Sequence, residues 1–60
     1  MVGLSGKELW KVIEKAARKK YNKDESWELT LADIKGHGIV FIRLKQMDGG
    51  VVNGFVEMGA

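Results

Sequence analysis

The sequence predicts an α+β fold, with an N-terminal amphipathic helix packed on a three-stranded antiparallel meander (αβββ). Three features predict it. Ser5 and Glu8 have the spacing of a capping box, and the apolar residues that follow recur at helical intervals. Ile39 to Leu44 (IVFIRL) is the longest apolar run and is rich in β-branched and aromatic residues, as a central strand would be. Glycines at 36, 38, 49 and 50 mark turns on either side of that run.

The helix is expected over about 5–21, with Leu4 ahead of it as a hydrophobic staple. On a helical wheel Leu9, Trp10, Val12, Ile13, Ala16, Ala17 and Tyr21 share one arc, while Lys7, Glu8, Lys11, Glu14, Lys15 and Arg18 share the other. Lys20 falls in the apolar arc, where its stem can lie along apolar surface with the ammonium in water. Arg18, Lys19 and Lys20 sit where the helix dipole favours cations, and the helix should stop near Asn22.

Strands are expected over about 27–35, 38–47 and 51–58. Alternation puts Trp27, Leu29 and Leu31 on the core face of the first. Val40, Ile42 and Leu44 form one face of the second strand, and Ile39, Phe41, Arg43 and Lys45 the other. A two-residue Gly36-His37 turn of type II′ would pair Leu31 with Ile42, Leu29 with Leu44 and Glu28 with Lys45. A three-residue Asp48-Gly49-Gly50 loop would pair Leu44 with Gly54 and Ile42 with Val56. It leaves Val52, Val56 and Met58 on the core side. Gly54 on that side leaves room for Trp10 or Trp27. On the opposite side Ile34 would lie beside Ile39, and Arg43 between Thr30 and Phe55.

Sixty residues form one small domain with a thin core, and small domains usually add a disulfide, a metal or a partner. There is no cysteine, and a single histidine does not make a metal site, so no cofactor or metal is expected. A homo-oligomer, a dimer above all, is the remaining aid. No run approaches the length of a membrane span and no secretory signal is evident, so a soluble cytoplasmic protein without membrane contact is expected. The lack of cysteine and proline, with many Lys and Glu, matches thermophilic habits.

The net charge of +2 is unevenly placed: residues 5–21 hold six cations against two acids, and the rest of the chain four against six. Lys7, Lys11, Lys15 and Arg18 on the helix are therefore the candidate nucleic-acid contacts. One helix cannot cover both faces of a sheet, so Ile39, Phe41, Val51 and Phe55 are the candidate oligomer interface.

No catalytic constellation stands out, and neither glycine cluster has phosphate-loop spacing, so no small-molecule substrate is identified. Ser5-Gly6-Lys7-Glu8-Leu9 opening a helix, followed by a strand and by Lys35-Gly36-His37 before an apolar strand, resembles HicA-type toxins. The resemblance covers about two-thirds of the chain. It implies a double-stranded-RNA-binding-like fold and RNA cleavage with His37 as the catalytic residue. The chain departs from that family in its shortened glycine–histidine step, its longer segment before Trp27 and the lack of a final helix. The residues themselves favour a non-catalytic interaction module that self-associates through its sheet.

Overall fold

A computed structural model describes residues 6–58 of the chain, so the Ser5 cap and the Leu4 staple lie outside the described residues. The helix α1 (Gly6–Lys20) is followed by β1 (Trp27–Ile34), β2 (Ile39–Gln46) and β3 (Val51–Glu57). The strands form one antiparallel sheet in the order β1-β2-β3, with α1 across one face. This is the αβββ arrangement that the sequence predicts.

The helix ends in a Schellman-type cap. Asn22 adopts a left-handed conformation (φ 57°), its N–H donates to Lys19 O at 3.3 Å, and the Lys23 N–H reaches Arg18 O at 2.8 Å. Asparagine is among the few non-glycine residues that take this position at little cost. Asp24 then organises the entry to β1. The Ser26 hydroxyl and amide both donate to its Oδ1, and the Trp27 N–H reaches its carbonyl at 3.2 Å.

Ile13, Ala17, Leu29, Val40, Ile42, Leu44 and Val56 make up the core, with Leu9, Ala16, Tyr21, Trp27, Ala32, Val52 and Met58 packed around it. The buried strip of the helix is narrower than its apolar arc, because Trp10 and Val12 remain exposed on its flanks.

Two local features change the expected pairing. In the first hairpin, positive φ falls on His37 (64°) and Gly38 (75°) instead of on Gly36. Ile39 N–H donates to Gly36 O, which is the arrangement of a type I′ turn. Ile34 consequently faces Val40 on the helix side and does not lie beside Ile39. A β-bulge at Thr30 then restores the expected register, so Leu29 pairs with Leu44 and Glu28 with Lys45 as predicted. Between turn and bulge the strand is out of phase with simple alternation. Leu31 therefore pairs with Arg43 on the outer face, and the smaller Ala32 faces Ile42 beneath the helix.

The second hairpin has a three-residue loop, but it is Met47-Asp48-Gly49. Gly49 takes the left-handed position (φ 102°), and the Gln46 N–H donates to Gly50 O at 2.8 Å. Leu44 thus pairs with Val52, Ile42 with Gly54 and Arg43 with Asn53, a slide of two residues from the expected register. A slide of two preserves the faces, so Val52, Val56 and Met58 stay on the core side. The space above Gly54 is filled by Tyr21 and not by a tryptophan; a Cβ built there would overlap the phenol oxygen. Trp27 instead lies against Gly50.

Candidate functional site: the uncovered face of the sheet

The face of the sheet away from α1 carries Leu31 from β1, Ile39, Phe41, Arg43 and Lys45 from β2, and Val51, Asn53 and Phe55 from β3. Phe41 and Phe55 are direct cross-strand partners, as are Lys45 and Val51. Leu31, Phe41, Val51 and Phe55 are 40%, 47%, 47% and 40% exposed, and Ile39 is half-buried. A shallow groove between Leu31, Phe41 and Phe55 has the backbone of Gly54 in its floor. All four residues expected at an interface lie on this face. Leu31 was missed, because only the bulge at Thr30 turns it outward, and sequence alternation carries no sign of a bulge.

Charges of both signs border the apolar cluster. Arg43 Nε donates to Asn53 Oδ1 at 2.9 Å, Lys35 pairs with Asp33 at 2.9 Å, and Glu28 stands across from Lys45. The Lys35 ammonium lies 5.7 Å from the Phe41 ring centre, and the Lys20 ammonium 3.4 Å from that of Phe55. Each ring therefore has an ammonium group beside it while much of its surface stays exposed to water.

Part of each edge of the sheet is bonded by side chains of α1 and of Tyr21 just after it. The outward N–H and C=O of Phe55 on β3 are both bonded to the Tyr21 hydroxyl, at 2.9 and 3.2 Å, and Lys20 Nζ also donates to that carbonyl at 2.7 Å. On β1, Glu14 Oε2 accepts from the Leu29 N–H at 3.0 Å, and Arg18 Nε donates to Trp27 O at 2.7 Å. A helix about 10–12 Å wide matches the roughly 10 Å between the outer strands of a three-stranded sheet. One helix can thus reach both edges, and it leaves the opposite face as the open surface.

The remaining candidates are scattered. Lys7, Lys11 and Lys15 are exposed on the helix, but Arg18 turns down onto β1 and pairs with Glu14 at 3.6 Å. His37 is exposed at the tip of the first hairpin, on a different element from these lysines. The Asp24 carboxyl is held below its ordinary range by the Ser26 hydroxyl and amide. Among the described residues no group of three His, Asp or Glu side chains is placed to hold a metal, and no helix is long and apolar enough to cross a membrane. No family model, curated protein or solved structure matches the chain.

Proposed function

We propose that this chain is a non-catalytic interaction module that pairs with a second copy of itself through the uncovered sheet face. The observation that carries the proposal is the contiguous cluster of Leu31, Phe41 and Phe55 on a sheet whose other face is already occupied by α1. Monomers seldom leave such a cluster in water. Three further features favour a second copy as the occupant. Among the described residues the core holds seven buried side chains, so a sheet packed on a sheet adds apolar burial where it is scarce. The face carries Arg43 and Lys45 together with Glu28, Asp33 and Glu57, both signs on one surface, as a two-fold interface requires. Strand-to-strand pairing is obstructed at Phe55 by Tyr21 and Lys20 and at Leu29 by Glu14, which leaves the face as the route to assembly.

A face of about 25 Å by 14 Å has a footprint of roughly 350 Å² per copy, so two copies bury on the order of 700 Å², a small area that fits weak association. The dimer is accordingly expected to form in a concentration-dependent way. Phe41→Glu tests it by placing a carboxylate in the buried centre of the face. Phe41 is preferred over Phe55, whose backbone also anchors Tyr21 and Lys20. The variant should sediment as a monomer while keeping its circular dichroism spectrum. A variant that associates as the parent does would overturn the proposal.

A further inference from the structure

The structure sorts the helix charges in a way that the helical wheel does not show. Glu14 and Arg18 leave the solvent-facing arc, pair with each other and bond to the backbone of β1. What remains along the crest is Lys7, Lys11, Lys15 and Lys19, a series at i, i+4 intervals, all four exposed. Ile13 and Ala17 face the sheet, and at 100° per residue this lysine row is centred about 180° from them. The row winds through about 120° of the helix, with Lys11 and Lys15 nearest to the direction opposite the core. The four lysines thus follow one another at an axial rise of about 6 Å along roughly 18 Å of the helix. Glu8 lies among them on α1, and on one flank Lys11 and Lys15 share a groove with Glu14, Asp24 and Glu25, whose charges Arg18 and Lys23 offset in part.

We infer that this lysine crest is a docking surface for the phosphate backbone of a nucleic acid. The argument is charge complementarity. A row of like charges is unfavourable in isolation, because lysines at i, i+4 repel. It becomes favourable against a regular row of negative charges whose condensed counterions are released on contact. The crest carries no aromatic ring and no fork-shaped guanidinium, so it contacts the backbone without reading bases. The surface lies on the helix and not on the sheet face, so this inference and the proposed self-association can fail independently.

Fluorescence anisotropy with a labelled 20-base-pair duplex, titrated with the full chain, tests it. Four phosphate contacts predict a slope of log K against log[salt] of about −3.6, or a loss of roughly 150-fold in affinity between 50 and 200 mM salt. Lys11→Gln with Lys15→Gln should halve that slope, and Lys45→Gln on the sheet face should leave it unchanged. None of the crest lysines is in the core and their mutual repulsion is relieved, so the variants should keep or slightly raise the parent's thermal midpoint, which is measured alongside. Absence of binding at 50 mM salt, a slope insensitive to the crest variants, or equal affinity for polyglutamate would overturn the inference.

Discussion

Gly54→Ala tests the contact that closes the edge of β3. Alanine normally improves a strand position held by glycine, by about 0.5–1 kcal/mol, because it restricts the unfolded chain. Gly54 has no positive φ that would forbid the change. The opposing factor is steric: the added Cβ would overlap the hydroxyl and the ring of Tyr21. Overpacking of this kind costs about 1–3 kcal/mol. Displacing the ring also breaks the hydroxyl's two bonds to the Phe55 backbone, worth about 1 kcal/mol net at a surface site. The losses exceed the gain, so Gly54→Ala should destabilise by about 1–3 kcal/mol. Urea unfolding at one fixed protein concentration measures it, since association would otherwise shift the midpoint. In a Tyr21→Ala background the same substitution should be neutral or stabilising, a coupling of at least about 1 kcal/mol between the two sites. A Gly54→Ala protein as stable as its parent, or equal effects in both backgrounds, would refute the account of the Tyr21 lock.

Gly49→Ala should cost about 1 kcal/mol or more by denaturant titration, since Gly49 holds the left-handed position of the second turn with no steric obstacle besides its own backbone. His37→Gly should hold or raise the thermal midpoint, because His37 already sits at positive φ. RNA incubated with the parent protein should remain intact, and cleavage abolished by His37→Ala would favour the toxin resemblance instead. Asp24 has a folded pKa below its ordinary 3.8, so its contribution is complete above that value and lost as pH falls toward the folded one. Asp24→Asn should therefore lower stability at neutral pH, where the contribution is complete, and flatten the acid limb of a stability–pH curve below about pH 4.

Element type and order were legible in the sequence because each element has a strong local signal: helical periodicity from Leu9 to Tyr21, the Ile39–Leu44 run, and the glycine turns. The sheet faces were legible wherever parity survives. The second hairpin slid by two residues without moving Val52 or Val56 off the core, because side chains alternate with period two. The first strand was less legible. The Thr30 bulge inverts everything between it and the turn, and neither Thr30 nor its neighbours differ from an ordinary strand in composition. Arg18 was assigned to the solvent arc by its wheel angle, yet a long side chain at the helix flank finds carbonyl acceptors in Trp27 and Glu25 that only the folded chain places there. The same is true of Tyr21, whose partner is 34 residues away. Edge closure by side-chain-to-backbone bonds is a tertiary event with no local signature. The candidate interface was nevertheless visible in outline, because an apolar outer row follows from alternation as soon as one helix is set against three strands.

The most direct measurement of the central claim is the molar mass in solution, by sedimentation equilibrium across a micromolar to millimolar concentration series. A chain of 6.7 kDa that pairs through its sheet face should approach twice that mass as concentration rises. Phe41→Glu should hold it at the single-chain value throughout. A parent protein that remains at 6.7 kDa at the highest concentration, with Leu31, Phe41 and Phe55 still in water, would contradict the claim.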